Sequence, residues 1–444
     1  MKRMKIRRRT VLGSALSLPL SFSLSKASDL DDRDHQITDH ERAFLIDMQR
    51  CCYQYFLEAS DPTTALVSDR ASTDGRSPSR QASIAACGFS LASHCVAAHH
   101  QWLPRGEIAE RVRLLLRSLL EKADHHKGFL YHFLDRSTGR RMWKSEASTI
   151  DTALMIAGAM TVSTLFSDDE KIVELADALY CRVDWNWMLG SNDCMHMGWT
   201  PERGMIPNQW DRFSELIILV FLAIGAPQRP IPPRCWRAWQ RESMLTFGGI
   251  EYLNYPPLFV HQYPLAFFDV REYRSPNGRD YFQNSVIAHK AHIDFLTRLG
   301  LKYPERLGHY SKDLWGLTSS DSESGYRDWG GPYQEGRIEP DRGIDGTLVP
   351  SAAAGGLPFV PEQSLRTLML QKTRFEDAIY GRYGFVNAYN PVTHWVDPDV
   401  IGIDTGITLL MAENMMSGTV WDYFMRHPAA KRSLMLTGFK RISG

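Results

Sequence analysis

The chain lacks the sequence motifs that define several common classes of enzyme. It contains no Gly-x-Ser-x-Gly nucleophile elbow, no His-Glu-x-x-His zinc motif, no Walker loop and no glycine fingerprint for dinucleotides. These absences argue against the serine hydrolases, zinc peptidases, nucleotide hydrolases and nicotinamide enzymes that carry those motifs. Chemistry by two carboxylates is the most economical choice that remains, because it needs only the acids and a water molecule.

Cysteine is scarce and irregularly placed. There are seven cysteines, an odd number, and no Cys-x-x-Cys pair accompanies a pair of histidines. The pattern therefore fits neither a disulfide framework nor a zinc site, and it predicts buried thiols, no structural metal and no cofactor.

An excess of charge of either sign is also absent, since 51 basic residues balance 51 acidic ones. Seven of the basic residues and none of the acidic ones fall within residues 1–27, which leaves 44 basic and 51 acidic residues in the rest. A mildly acidic body argues against nucleic acid as a partner, because nucleic acid requires a basic face. It suits a neutral substrate such as a glucan.

The first 27 residues resemble a twin-arginine export signal. A run of three arginines at residues 7–9 precedes Thr10-Val-Leu and an apolar, serine-rich stretch over residues 11–24. That stretch is short for a membrane span and is interrupted by Pro19. We therefore predict a periplasmic or secreted protein with no stable membrane insertion after cleavage, and an uncleaved anchor is the alternative.

Helical periodicity dominates the rest of the chain. Apolar residues recur at three- and four-residue spacing in residues 43–57, 83–99, 108–122, 148–165, 170–189, 213–224, 281–299, 361–375 and 407–417. About a dozen helices alternate with plain connections and with long loops rich in Gly, Trp and Asp. This pattern predicts an all-α fold, an (α/α)6 barrel of helical hairpins with a cleft at one end. Residues 28–444 then form a single domain; an irregular helical domain or two helical domains are the alternatives.

Two acids stand where a loop enters an apolar helix. Asp404 follows a loop rich in glycine and aromatic residues and precedes the apolar run at residues 407–412. Glu215 directly precedes the apolar run at residues 216–222, where lost hydration would raise its pKa and keep it protonated near neutrality. A protonated carboxyl is what a general acid requires. A helix-capping role is the structural alternative for Glu215.

A second pair of acids, Glu146 and Asp151, begins another helix, which Ser145 or Ser148 would cap. Capping explains one of these acids but not both. Further polar and aromatic residues in the loops predict a cleft in which rings stack on sugars and amides bond their hydroxyls. The candidate substrate-binding residues are Asp151, Asp211, His261, Gln262, Tyr263, Trp329, Asp345, Tyr383, Phe385 and Asn390.

Taken together and in order, these motifs resemble the bacterial glucoamylase-like proteins, a group that includes the β-1,2-glucanases of glycoside hydrolase family 144. The resemblance runs from about residue 40 to residue 440. It rests on Ser145-Glu146, Asp151-Thr-Ala-Leu, Trp210-Asp211, Ser214-Glu215, His261-Gln-Tyr263, Asp345-Gly-Thr, Tyr383-Gly-Phe385, Asn390-Pro and Gly402-Ile-Asp404-Thr-Gly. It implies an (α/α)6 barrel and anomer-inverting cleavage of β-1,2-linked glucan. It also implies that Glu215 is the general acid and that Glu146 and Asp404 are acids of the cleft.

Some positions depart from the usual pattern of that group. Pro264-Leu-Ala-Phe-Phe268 is less polar than is common, Thr405 follows Asp404 where Gln is frequent, and residues 333–342 form a long insertion. These differences lie in or beside the predicted cleft, where they bear on linkage preference and on endo against exo action.

We therefore predict an exported, monomeric glycoside hydrolase that cleaves β-1,2-glucan in the endo mode with inversion. Glu215 would be the acid, and Asp404, Glu146 or Asp151 would position the attacking water or hold hydroxyl groups. The partner is an oligosaccharide or polysaccharide. The alternatives are an α-glucan hydrolase of the glucoamylase type, an exo-acting hydrolase that releases sophorose, and a non-catalytic periplasmic protein that binds glucan.

Overall fold

The computed structural model describes residues 35–241, 244–332 and 343–442. The predicted export signal at residues 1–27 and the insertion at residues 333–342 lie outside these described residues. Within the described ranges, no helix combines the length and the apolar character needed to cross a bilayer.

Helices account for most of the regular structure, which confirms a predominantly helical fold. The described residues form α1 (Asp39–Glu58), α2 (Ile84–His99), α3 (Arg105–Glu121), α4 (Thr149–Leu165), α5 (Glu170–Arg182), α6 (Leu216–Gly225), α7 (Cys235–Ala238), α8 (Tyr263–Phe267), α9 (Tyr281–Lys302), α10 (Pro304–Leu307), α11 (Pro350–Ala354), α12 (Pro361–Phe375), α13 (Gly402–Met416), α14 (Thr419–Arg426) and α15 (Pro428–Leu436). Three short 3-10 helices lie at Trp185–Met188, Leu258–His261 and Glu376–Ala378.

Strands of two to four residues lie in the loops and pair antiparallel in small ladders. They are β1 (Arg70–Ser72), β2 (Gln81–Ser83), β3 (His125–His126), β4 (Phe129–Leu130), β5 (Phe133–Asp135), β6 (Ala147–Ser148), β7 (Gly198–Thr200), β8 (Gly204–Met205), β9 (Met244–Phe247), β10 (Ile250–Leu253), β11 (Tyr273–Arg274), β12 (Tyr380–Gly381), β13 (Gly384–Phe385), β14 (Tyr389–Asn390), β15 (Trp395–Val396), β16 (Asp399–Ile401) and β17 (Lys440–Arg441). Pairing of β1 with β16 sets Arg70 opposite Ile401 and so joins the first loop of the chain to the start of α13.

Fully buried helices alternate along the chain with half-buried ones. All ten residues of α6 are buried, and α2, α4 and α13 are buried on nearly every side, whereas α3, α5 and α12 bury one face. A helix that is apolar all round must be surrounded by other elements, while an amphipathic helix covers them from outside. The inner helices pack on one another in turn, α2 on α4, α4 on α6 and α6 on α8, and α13 packs on α8, α11 and α2.

Helices α2 and α4 cross closely at Gly88 and Gly158. A Cβ atom on Gly158 would lie 2.1 Å from the carbonyl oxygen of Gly88, and one on Gly88 would lie 2.4 Å from the carbonyl oxygen of Leu154. Such distances leave no room for a methyl group, so the absence of side chains fixes the spacing of these two helices.

The cysteines are free, as the sequence predicted. All seven lie among the described residues without a disulfide, and all but Cys51 and Cys181 are buried. Burial raises the pKa of the Cys87 thiol to about 12, which keeps that sulfur protonated and unreactive.

The N-terminal ends of several inner helices meet at one place. Ser351, in the first turn of α11, donates a hydrogen bond to Asp404, in the first turn of α13. The backbone N–H of Gly402, the first residue of α13, donates to the carbonyl oxygen of Asp69 in the loop before β1 at 2.8 Å. The loops that enter these helices therefore share one end of the molecule, and the predicted acids lie there.

Candidate active site

Asp404 lies at the bottom of this loop cluster, with only 8% of its surface exposed. Its two carboxyl oxygens accept hydrogen bonds from the Ser351 hydroxyl at 2.9 Å and from the Asn387 amide at 2.5 Å. Burial raises the pKa of Asp404 to about 7; the two hydrogen bonds oppose that rise, and the nearby charges of Asp321 and Asp69 add to it. The carboxyl therefore exchanges its proton near neutral pH.

Glu215 caps the N-terminal end of α6 and is partly exposed to the cleft. Burial of its carboxyl against the apolar start of the helix raises the pKa of Glu215 to about 7, and the charges of Asp151 and Asp328 contribute in the same direction. The prediction from the apolar run at residues 216–222 is confirmed in its physical part, since the pKa is raised and the cause is desolvation. No side-chain hydrogen bond from Glu215 caps α6.

Tyr263, the first residue of α8, is close enough to Glu215 and Asp404 for both of their charges to act on its phenol. Burial holds the pKa of its phenol well above the usual value, and the charges of Asp404 and Glu215 raise that pKa further. Asp151 and Tyr326 act on the same phenol. The charges of Asp151, Glu215 and Asp404 thus all act on one phenol, so these side chains lie in one neighbourhood; their roles in a cleft stay a prediction.

A charged group formed by Glu146, His132 and Asp151 lines another wall of the cleft. The His132 imidazole lies 3.0 Å from Glu146 and 3.8 Å from Asp151. Burial lowers the pKa of His132, but the two carboxylates outweigh it and raise that pKa to about 9. In return, His132 holds the pKa of Glu146 below its usual value despite burial. Glu146 is thus an ionised carboxylate at neutral pH, unlike Glu215 and Asp404.

Asp151 combines this pairing with the capping role expected at the start of α4. Ser148 is the N-cap, and its hydroxyl accepts from the backbone N–H of Asp151 and donates to the Asp151 carboxylate at 2.5 Å. The donor atoms of His132, Glu146 and Asp151 are close enough to ligate a cation. The imidazolium form favoured by the raised pKa of His132 competes with a metal for the same carboxylates.

Sequence reasoning missed several residues that surround the acids. Asn387 and Ser351 bind Asp404, and Asp321 and Asp328 act on the pKa values of Asp404 and Glu215. Tyr326 is 57% exposed beside Asp404. Tyr326 and Asp328 lie within three residues of Trp329, which the sequence singled out, whereas Asn387 and Ser351 were not among the predicted residues.

Arg70 neutralises part of this acidic environment. Its guanidinium donates to Asp321 at 2.6 Å and to Asp69 at 3.2 Å, and it lies 3.7 Å from Asp399. Burial and these neighbouring carboxylates raise the pKa of Asp397, which is itself buried, to about 7. One cation therefore serves several carboxyls, and it does not offset the effect of burial on the pKa of Asp397.

The structure places His261 and Gln262 in the interior, which corrects their assignment to direct contact with a ligand. Gln262 is 1% exposed, and its amide nitrogen bonds the ring of His289 at 2.9 Å and the carbonyl oxygen of Ala352 at 2.9 Å. His261 is 2% exposed and packs against Phe213 with ring centroids 5.0 Å apart. The physical reason is that His261 ends the 3-10 helix before α8 and Gln262 follows it, and there both side chains are buried against neighbouring helices instead of solvent.

Four other predicted binding residues hold the loops themselves. Trp329 is 2% exposed and donates from its indole to Ser320 at 2.9 Å. Asn390 donates to the Asp345 carbonyl oxygen and accepts from the backbone of its own turn, while the Asp345 carboxylate accepts from Thr347. Tyr383 donates to Glu58 at 2.8 Å. Their hydrogen-bonding groups are engaged within the protein, so their roles in the structure are to shape the loops.

The last two predicted residues lie nearer to accessible space. Phe385 lines, with Asn387 and Asp404, a small cavity behind the carboxyl that extends to Cys52. Asp211 is paired with Arg212 at 3.2 Å on the rim before α6. Both positions are compatible with the predicted cleft. Among the described residues, neither Phe385 nor Asp211 forms a hydrogen bond with Glu215 or Asp404.

The chain as a whole is similar to several known proteins. Residues 207–428, half of the chain, match the family described as "Glycoamylase: Putative glucoamylase". A curated protein of Parabacteroides distasonis, named an exo-β-1,2-glucooligosaccharide sophorohydrolase acting at the non-reducing end, is 25% identical over 94% of this chain. The chain spans 60% of the length of that relative.

Two solved structures share the fold. One, from Bacteroides fragilis and described as a "putative glucoamylase", has a TM-score of 0.80 and 26% identity over 93% of this chain and 100% of its own. The other, an endo-β-1,2-glucanase of Chitinophaga pinensis in complex with sophorotriose and glucose, has a TM-score of 0.79 and 23% identity over 90% of this chain and 98% of its own.

Proposed function

We propose, since this chain belongs to the Glycoamylase family, that it is a glycoside hydrolase that cleaves β-1,2-glucan. The family match and the relatives that act on β-1,2-glucans support the substrate class. The observation that supports the chemistry is that two carboxyls, Glu215 and Asp404, both act on the phenol of Tyr263 and both have pKa values raised to about 7.

Glu215 is the general acid in this proposal. A carboxyl that keeps its proton near neutrality can deliver it to the glycosidic oxygen as the bond to the leaving sugar breaks. Desolvation suits this task because it raises the pKa of Glu215, so that the carboxyl keeps its proton before the reaction. The proton then passes to the glycosidic oxygen, which gains negative charge in the transition state.

Asp404 is the general base that accepts a proton from the attacking water. A base is most effective when its pKa lies near the working pH, and a pKa of about 7 meets that condition. Glu146 fits this role less well, because its pKa is held low by His132. We assign Glu146 and Asp151 to the binding of sugar hydroxyls and to the negative potential that keeps Glu215 protonated.

With an acid and a base on opposite sides of the bond, water attacks directly and the anomeric configuration inverts. The proposal is tested by incubating the protein with linear β-1,2-glucan and following the anomers by NMR. We expect the first product to carry the α configuration. A first product with the β configuration would contradict the assignment of Asp404 as base and indicate a covalent intermediate.

The matching variant test is Glu215→Gln, which removes the acidic proton and preserves the shape of the side chain. We expect hydrolysis of β-1,2-glucan to fall by roughly 10³-fold or more with an unchanged melting temperature, because general acid catalysis contributes that much. Arg237→Gln, a change at an exposed residue of α7, serves as control. Full turnover by Glu215→Gln would remove this residue from the mechanism.

Endo and exo action are separated by product size. Random internal cleavage of a long linear glucan produces a broad mixture early, and it also opens cyclic β-1,2-glucan. Exo action releases sophorose from the start and leaves the cyclic substrate intact. We propose the endo mode; the relative from Parabacteroides supports the exo alternative, and malto-oligosaccharides test the α-glucan reading.

The finer architecture is also a proposal. Helices α2, α4, α6, α8, α11 and α13 would form the inner ring of an (α/α)6 barrel, since they are the buried ones and α13 packs back on α2. An experimental structure with a different number of inner helices would contradict this arrangement. Export by a twin-arginine route remains a proposal from residues 1–27 alone, and it is tested by fractionation of cells with and without Arg8→Lys.

A further inference from the structure

The most exposed aromatic rings among the described residues lie in loops that precede inner helices. The three large aromatic side chains that are more than a third exposed are Trp143, Tyr255 and Tyr326. Each lies in a loop that leads into an inner helix, α4, α8 and α11 respectively. Trp143 is the most exposed of them, at 63%. An aromatic ring left in water at the mouth of a cleft is a site for contact with a ligand.

The turn that carries Trp143 is strained. The backbone N–H of Ser145 donates to the carbonyl oxygen of Met142 at 2.9 Å, which closes a four-residue turn with Trp143 and Lys144 at its centre. Both central residues have positive φ, 53° and 58°. A turn of this type favours Asn-Gly, because bulky side chains are poorly tolerated at positive φ. Local stability therefore does not explain a tryptophan at this position.

The strained turn is nevertheless held rigidly. The guanidinium of Arg141 donates to the Ser145 carbonyl oxygen at 2.6 Å and forms a bidentate pair with Glu202 at 2.7 and 2.9 Å. The Ser145 hydroxyl exchanges hydrogen bonds with the backbone of Phe133. Strain that the surroundings maintain in this way is characteristic of ligand-binding positions.

A row of rings connects Trp143 to the acids of the cleft. The ring of Trp143 contacts that of Phe133, with centroids 5.4 Å apart, and Phe133 stacks on His132, with centroids 4.0 Å apart and planes 15° apart. His132 in turn binds Glu146 at 3.0 Å. The indole is thus the outermost member of an aromatic strip that begins at the charged group beside Asp151 and ends in solvent.

We propose that Trp143 is a stacking platform for a glucose unit of the polymer that lies outside the units held by the acids. The inference rests on the function proposed above and makes it more specific, because it assigns a distal sugar-binding position on the Glu146 side of the cleft. The flat face of the indole packs on the apolar face of a pyranose ring, and the rigid turn spares the cost of ordering the side chain on binding.

The experiment compares Trp143→Gly with Trp143→Phe and with Lys144→Ala in the same turn. Michaelis constants are measured on long linear β-1,2-glucan and on sophorotriose, together with melting temperatures. Trp143→Gly removes the ring and relieves the positive φ, so we expect an unchanged or higher melting temperature. We also expect the KM for the polymer to rise roughly tenfold and the KM for sophorotriose to change less than about twofold. The other two variants keep wild-type values for the polymer.

Each of the other possible results would contradict either the stacking platform or the proposed function. A Trp143→Gly protein with the wild-type KM for the polymer overturns the platform while leaving the proposed function intact. Equal losses on both substrates also overturn it, since the change would then act at the catalytic centre. A wild-type protein that releases no sugar from β-1,2-glucan contradicts the proposed function itself, before any variant is compared.

Discussion

Two buried carboxyls on the same helix, Asp404 and Glu413, have opposite acidities. Asp404 is in the first turn of α13 and Glu413 is near its last turn, and they are 8% and 0% exposed. Burial raises the pKa of Asp404 to about 7. Burial acts in the same direction on Glu413, but hydrogen bonds outweigh it and lower that pKa to about 2.

The difference lies in the partners and not in the depth of burial. Glu413 accepts from His100 at 2.9 Å, from Gln49 at 3.0 Å and from Ser417 at 2.6 Å. Asp404 has two neutral donors, and Asp321 and Asp69 nearby add negative charge. The helix dipole alone would favour an anion at the first turn and oppose one at the last, by about 0.3–1 kcal/mol. Tertiary contacts therefore reverse the order that the helix would set.

The largest expected difference between Asp404 and Glu413 is in catalytic activity. We expect Asp404→Asn to lower kcat on β-1,2-glucan by roughly 10³-fold, because removal of a general base costs 10²–10⁴-fold. Glu413→Gln, made on the same helix, should keep kcat within about threefold. The measurement is the release of reducing ends. Equal losses of kcat in both variants would show that a change anywhere on α13 impairs the enzyme, so that the loss in Asp404→Asn would not indicate a catalytic role.

Stability should respond to pH in opposite directions. Asp404 has a raised pKa in the folded state, so its ionisation opposes folding as pH rises from about 4 to 7. We expect Asp404→Asn to be more stable than wild type at pH 8 by about 1–3 kcal/mol, with no gain at pH 4. The Asn side chain can keep both hydrogen bonds, since Ser351 can accept as well as donate.

Glu413 has a lowered pKa in the folded state, so its contribution is complete above about pH 4.5 and is lost as pH falls toward 2. We expect Glu413→Gln to be less stable than wild type at pH 7 by about 2 kcal/mol, and the difference to shrink below pH 4. Urea titrations over this pH range measure both variants. A stabilised Glu413→Gln protein at pH 7 would contradict the partner-based explanation.

The smallest effect tests a single hydrogen bond. The Asn387 amide stabilises the ionised form of Asp404, so Asn387→Ala should raise the pKa of Asp404 further. Activity needs Asp404 ionised, and the acidic limb of the kcat/KM profile should therefore move up by roughly half to one pH unit. Ser319→Ala, which loses a bond to Asp328 outside the Asp404 pair, serves as control. An unchanged acidic limb would show that another group governs it.

The long helices were predictable because their apolar periodicity extends over several turns. The stretch at residues 361–375 coincides with α12, and the stretch at residues 148–165 begins one residue before α4, at the Ser148 cap. Helix α13 begins at Gly402, earlier than the apolar run at residue 407 indicated, which brings Asp404 inside the helix. Helices of five residues, such as α8 and α11, have too few residues to show a period.

The site was predictable where a carboxyl directly adjoins an apolar run, as for Glu215. Residues that act through distant contacts were not. Asn387 and Ser351 lie 17 and 53 residues from Asp404 in the sequence, and only the fold brings them together. Gln262 was misassigned for the converse reason, since an amide in a loop motif can bond the interior as readily as a ligand. The sequence shows that a residue is polar, but it does not show whether the side chain points into the interior or toward a ligand.

The glycine pair that separates α2 from α4 has a consequence at the far end of α4. Gly158 lies about two helical turns from Asp151, and the close approach of Gly158 to Gly88 fixes how far α4 stands from α2 along that length. A single methyl group at either glycine would push α2 and α4 apart, and the group that Asp151 forms with His132 would move with α4. The position of the Asp151 carboxylate thus depends on two residues that lie far from it and carry no side chain.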